Sequence, residues 1–170
     1  MPERIEGERL YIAQFMMEMF PKGNYALNVP LGPIPDSLTR ELSLGAAARL
    51  FNPSRRRVDA VAWEPERYIL VESKLRDPLP AIGQLIVYKG LAEKTPDLPW
   101  YDGQPIVMWS AVPFVLEEVE VEAREHGVRT ITFQPSWLEH YFEGFQKYFT
   151  KQYRQDRQER LRMRRILGLE

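Results

Sequence analysis

The apolar positions of the chain recur with two periods, one typical of helices and one typical of strands. Residues at helical spacing predict helices over 4–20, 36–51, 81–94 and 114–126. Alternating or β-rich runs predict strands over 25–29, 104–112 and 128–133. Gly45 is a point at which the second helix would split, and the prolines between 30 and 35 are expected to end the first strand. A final helix is predicted from Ser136 to about Ile166.

The clearest segment is 56–75, where two β-rich runs flank the turn sequence of residues 64–67. This pattern predicts an antiparallel hairpin. Helices and strands therefore alternate along the chain, with the hairpin in the middle, which predicts an α/β fold. We expect a single domain over 1–150, followed by a basic helical tail over 151–170.

The amino-acid composition excludes several kinds of site and shows an uneven distribution of charge. The chain has 170 residues and no cysteine, which excludes disulfides, thiolate zinc sites and iron–sulfur clusters. The net charge of −1 divides into an acidic body and a basic tail, in which Arg154 and Arg157 are candidates to bind nucleic acid. A solvated helix end is an equal alternative for the tail. Because no apolar run is long enough to span a membrane and the chain begins with charged residues, we expect a cytoplasmic protein, or one inside a host cell if its source is a virus.

Two acids and a lysine of the hairpin suggest a reaction. If the turn is centred between Pro65 and Glu66, paired residue numbers sum to 131, and Asp59 lies opposite Glu72. Lys74 then lies on the same side of the sheet. Neighbouring carboxylates repel each other unless a cation lies between them, and oxygen ligands favour Mg²⁺ or Mn²⁺.

The peptide carbonyl of Ser73 is a candidate third oxygen ligand. Lys74 is suited to hold an attacking water and to neutralise charge on a phosphoryl group, so the set fits phosphodiester hydrolysis. A purely structural Glu72–Lys74 pair with a solvated Asp59 is the alternative at this point.

The spacing of Asp59, twelve residues and then Glu72-Ser73-Lys74 resembles the PD-(D/E)xK nuclease superfamily. Gln84 and Tyr88 in the next helix are similar to the Gln-x-x-x-Tyr motif of its recombination-helicase and phage-exonuclease branches. The resemblance implies a restriction-endonuclease-like core, which is a helix, a mixed sheet with a β-hairpin and flanking helices. It also implies metal-dependent cleavage of nucleic acid, with DNA favoured, and a site role for Gln84 supported by Tyr88.

Glu8, in the sequence Gly7-Glu8-Arg9-Leu10, is similar to the glutamate of the archaeal Holliday-junction resolvase branch, where it joins the metal site. Helical geometry also places Glu8 within the arc of the apolar residues of the first helix: Ile5, Ile12, Phe15, Met16 and Met19. A partly buried acid needs a partner, which is either the metal cluster or a nearby arginine.

Arg55, Arg56 and Arg57 precede the strand that bears Asp59 and are candidates to neutralise a phosphate backbone. A solvated loop is the alternative. The basic tail would grip the duplex or contact another subunit in a homo-oligomer or a larger complex. Two rival functions remain: a non-catalytic nuclease-fold module that binds DNA or assembles such a complex, and an unrelated α/β protein with ordinary salt bridges.

Overall fold

The structure is a computed structural model that describes residues 2–142 and residue 163, with side chains from residue 7 onward. The chain forms two compact units, Met1–Phe133 and Gln134–Glu170. The elements of the first unit are, in chain order, α1 (Pro2–Met19), β1 (Tyr25–Leu31), α2 (Asp36–Glu41), α3 (Leu44–Phe51), a 3-10 turn (Asn52–Ser54), β2 (Arg56–Glu64), β3 (Arg67–Ser73), α4 (Leu79–Ala92), β4 (Ile106–Val112), α5 (Glu117–Glu125) and β5 (Val128–Thr132).

The five strands of this unit form one mixed sheet in the order β1-β2-β3-β4-β5. The first three strands are antiparallel neighbours, and β3, β4 and β5 run parallel. Parallel neighbours require a crossover connection, which α4 and α5 provide. The predicted α/β class, with a central hairpin in a mixed sheet flanked by helices, is confirmed.

A buried cluster joins the sheet to α4. Leu70 of β3 and Met108 of β4 pack with Ile82, Leu85 and Tyr88 of the helix. Helix α1 contacts β2 and β3 and buries Ile12, Phe15 and Met16, as the apolar spacing predicts. Met19 does not follow this prediction, because it lies at the last turn of the helix and is 42% exposed.

Two local predictions were wrong. Strand β1 continues through Pro30, because β1 is an edge strand, where a missing N–H is tolerated. The predicted helix over 36–51 divides at Leu42 rather than at Gly45, since Leu42 is extended and Ser43 caps the next helix by accepting a hydrogen bond from Ala46 N at 3.4 Å.

The described part of the second unit is short. Residues 138–142 are helical, and the ring of Trp137 meets that of Tyr141 edge-on, with centroids 5.9 Å apart. The rest of the predicted final helix lies outside the described residues except at residue 163, which is helical. The predicted division at residue 150 stays a prediction.

Candidate active site

The hairpin has the register that the sequence predicts. Ala60 pairs with Val71 and Val61 pairs with Leu70, so paired numbers sum to 131. The next step of this register brings Asp59 to Glu72, whose carboxylate oxygen Oε1 accepts a hydrogen bond from the Asp59 backbone N–H at 3.3 Å. The two predicted acids therefore meet at the carboxyl end of β3, the edge of an α/β sheet at which ligands usually bind.

Asp59 also lies beside a distortion of the edge strand. The β1–β2 pairs on either side have numbers that sum to 87, and Asn28 would face Asp59 in that register, but the two are not paired. Asn28 has φ of +53°, a left-handed conformation that asparagine adopts more readily than most residues. The side chain of Arg57 donates to both the Asn28 side chain and its carbonyl, at 2.8 Å each, and so holds this conformation.

The Asp59 carboxylate is bound by Ser73. Both the backbone N–H and the hydroxyl of Ser73 donate to Asp59 Oδ2, each at 2.9 Å. From the sequence, only the Ser73 carbonyl is predicted to have a role, as a metal ligand. The hydrogen bond from the Ser73 hydroxyl to Asp59 is not predicted. A buried serine at the end of an apolar strand, between two charged residues, was the available signal.

Glu72 is a buried acid with an unusual pKa. The residue is 2% exposed, and burial, followed by the neighbouring charge of Asp59, raises its pKa to about 8. Lys74 opposes this shift, with Nζ 3.4 Å from Glu72 Oε2 and its own side chain 23% exposed. Lys74 therefore lies on the Glu72 side of the sheet, as predicted, and reaches solvent.

Helix α4 brings Gln84 and Tyr88 to the same region. Tyr88 is buried, and burial, together with the charge of Glu72, raises its pKa, whereas hydrogen bonding with the Gln84 side chain opposes that rise. Gln84 Oε1 is buried and has no partner in the part of the chain that the structure describes. The structure thus brings Asp59, Glu72 and Tyr88 within electrostatic range of one another.

Glu8 does not join the acid pair. It lies on α1 and is half-buried, and within residues 2–142 no three acidic or histidine side chains form a group that could hold a metal ion. The prediction of Glu8 as a ligand therefore stays a prediction, separate from the observed pair of Asp59 and Glu72.

The three arginines at the start of β2 have different surroundings: Arg55 precedes the strand, and Arg56 and Arg57 are its first two residues. The Arg55 side chain is 1% exposed and forms two hydrogen bonds to Asp97, at 2.7 and 2.9 Å, with further bonds to Asn52 and the Gly32 carbonyl. A buried guanidinium held in this way cannot reach a phosphate backbone, so Arg55 does not fit its predicted role. Arg56 and Arg57 are exposed. Arg154 and Arg157 lie outside the described residues.

The oxygen atoms at the end of the hairpin suit a hard divalent cation. Asp59 Oδ1 accepts no hydrogen bond among the described residues, and both contacts of the Glu72 carboxylate are long. Two carboxylates, with the nearby carbonyl of Ser73, are ligands of the kind that Mg²⁺ and Mn²⁺ prefer. A cation between the acids would also relieve the repulsion that contributes to the raised pKa of Glu72.

Comparisons with known proteins add a structural similarity. No protein-family model and no curated protein matches this sequence. The crystal structure of a repair endonuclease from Pyrococcus abyssi is similar over 74% of this chain and 46% of its own, with a TM-score of 0.44 and 14% sequence identity. This chain thus spans less than half of that structure. Among the described helices, none combines the length and apolar character needed to cross a membrane.

Proposed function

We propose that this protein is a metal-dependent nuclease of the PD-(D/E)xK type that hydrolyses phosphodiester bonds in nucleic acid, with DNA favoured. One observation carries the proposal. Asp59 and the buried Glu72 meet at the end of the hairpin, and the Nζ atom of Lys74 lies 3.4 Å from Glu72. An isolated pair of acids here would be costly, whereas two carboxylates that hold a metal ion, with a lysine beside them, suit metal-assisted hydrolysis of a phosphodiester.

Asp59 and Glu72 would hold Mg²⁺ or Mn²⁺, with the Ser73 carbonyl as a third ligand. The bound ion would supply Lewis-acid stabilisation of the phosphoryl group and would lower the pKa of a coordinated water. Ser73 restrains Asp59 through two hydrogen bonds to Oδ2 and leaves Oδ1 as the oxygen available to the ion.

Lys74 would act on the water and the phosphate. Its ammonium group is a hydrogen-bond donor with 23% of the side chain exposed, so it has access both to Glu72 and to a bound substrate. In this position it would orient the attacking water and neutralise charge that develops on the phosphoryl oxygens. Gln84 would contribute its buried Oε1 as a hydrogen-bond acceptor, with Tyr88 supporting it from the next turn of α4.

Arg56 and Arg57 would contact the backbone phosphates of the substrate from the start of β2, the strand that carries Asp59. The basic tail, with Arg154 and Arg157, is proposed to extend this contact or to bind another subunit. Contacts of these types position a nucleic acid without reading its sequence.

The test is cleavage of linear, circular, single-stranded and branched DNA in the presence of Mn²⁺, with and without Lys74→Ala. The unaltered protein is expected to cut at least one substrate only when the ion is present. Lys74→Ala is expected to lose at least 100-fold in rate while staying folded and keeping its affinity for DNA. Equal cleavage by both proteins would refute the assignment, and tight DNA binding without cutting would favour the non-catalytic module.

A further inference from the structure

Ser110 is a buried serine whose hydroxyl has no hydrogen-bond partner among residues 7–142. It is 2% exposed and is the polar residue of an otherwise apolar strand, β4, with the sequence IVMWSAV. A buried hydroxyl without a partner is unfavourable, because it loses its hydrogen bonds to water on folding. An alanine would fill the same position without that penalty, so packing alone does not account for the serine.

The register of the parallel strands places Ser110 beside Glu72. These two residues are paired across β3 and β4, two residues beyond the pair of Leu70 and Met108. Leu70 and Met108 both belong to the cluster that packs against α4. Because side chains alternate along a strand, Glu72 and Ser110 lie next to each other on that same face, on neighbouring strands that are about 4.8 Å apart.

The Glu72 carboxylate has unused acceptor capacity. Its contacts with Asp59 N and Lys74 Nζ, at 3.3 and 3.4 Å, are longer than the 2.7–2.9 Å of a strong charge-assisted hydrogen bond. A carboxylate accepts several hydrogen bonds, and a serine hydroxyl rotates freely to direct its hydrogen. An unused donor therefore lies beside an underused acceptor, and both residues are buried.

We propose that Ser110 is a positioning residue that donates its hydroxyl hydrogen to the Glu72 carboxylate when Glu72 binds a divalent cation. This inference rests on the proposed function. A hydrogen bond to a ligating carboxylate fixes the direction of its oxygens, and removal of such a partner typically weakens metal binding 10- to 100-fold. Ser110 itself acts through Glu72 and does not contact the substrate.

The experiment measures the dissociation constant for Mn²⁺ by calorimetry in the unaltered protein and in Ser110→Ala. A second pair, Ser110→Thr and Ser110→Val, differs only in the hydroxyl and controls for the added bulk. We expect Ser110→Ala to bind Mn²⁺ about 10-fold more weakly and Ser110→Thr to bind more tightly than Ser110→Val. In metal-free buffer Ser110→Ala should melt at the same temperature or higher, because its hydroxyl has no partner to lose.

Two results would overturn this inference alone: equal Mn²⁺ affinity in the unaltered protein and Ser110→Ala, or a weaker affinity matched by a lower metal-free melting temperature, which would indicate a structural role. If the unaltered protein binds no Mn²⁺, the proposed function fails, and the role of Ser110 fails with it.

Discussion

Ser73 donates two hydrogen bonds to a single oxygen of Asp59, one from its backbone N–H and one from its hydroxyl, each 2.9 Å long. The two bonds cross from the end of β3 to the fourth residue of β2, where regular pairing of the hairpin has ended. They hold Asp59 beside Glu72 and involve only Oδ2 of Asp59, not its Oδ1. Ser73 therefore links the fold of the hairpin to the geometry of the proposed metal site.

Ser73→Ala should lower the free energy of unfolding by about 1.5–3 kcal/mol, because a hydroxyl that donates to a charged carboxylate is lost while the backbone bond remains. Denaturant unfolding in EDTA measures this change. Ser54→Ala is the control, since Ser54 is exposed in the 3-10 turn. If both substitutions change stability equally, the Ser73 hydroxyl does not hold Asp59.

The stability of the metal-free protein should depend on Glu72. Its pKa is about 8 in the folded chain against an ordinary value of 4.5, so between these values the folded state binds more protons than the unfolded state. Stability is therefore expected to fall as pH rises from about 4.5 to 8, by an amount on the order of a few kcal/mol.

Glu72→Gln removes this titration. The stability of the variant should therefore change less with pH than that of the unaltered protein over the same pH range. Urea unfolding in EDTA at pH 5, 6.5 and 8 measures the difference, and Glu120→Gln, an exposed glutamate of α5, is the matched control. Parallel stability curves for the unaltered protein and Glu72→Gln would contradict the raised pKa.

The hairpin register and the acid pair were predictable because they follow from local rules. Alternation and a short turn set the register that brings Asp59 to Glu72, and a two-residue step sets the side on which Lys74 lies. The α/β class followed from the order of helical and β-rich segments, whereas the mixed sheet was implied by the family resemblance. The register and the acid pair depend on residues that are close together in the sequence, so one sequence is enough to predict them.

The surroundings of Arg55 and Ser110 could not be predicted in this way. Arg55 is buried by an ion pair with Asp97, which is 42 residues away in sequence, and no local pattern indicates that contact. Ser110 lies beside Glu72 only because β3 and β4 are parallel neighbours, a pairing that depends on the crossover through α4. Long-range pairing therefore decided which arginine is buried and which serine lies near the acids.

The ion pair of Arg55 and Asp97 is expected to stabilise the fold rather than bind nucleic acid. Asp97→Asn leaves a buried guanidinium without its counter-charge, so stability should fall by about 3–5 kcal/mol. Arg124→Ala breaks the exposed pair with Glu120 and should cost less than about 1 kcal/mol. Similar small losses in both variants, measured by denaturant unfolding, would show that the Arg55 pair has no special structural role.

The binding of Mn²⁺ by the acid pair is tested most directly by unfolding the protein with and without the ion, alongside Asp59→Asn. At 100 times its dissociation constant, Mn²⁺ should stabilise the unaltered chain by about 2.7 kcal/mol. At the same concentration Asp59→Asn should gain much less, although its amide oxygen still accepts from Ser73. No stabilisation of the unaltered chain, or an equal gain in both proteins, would contradict a divalent ion held between Asp59 and Glu72.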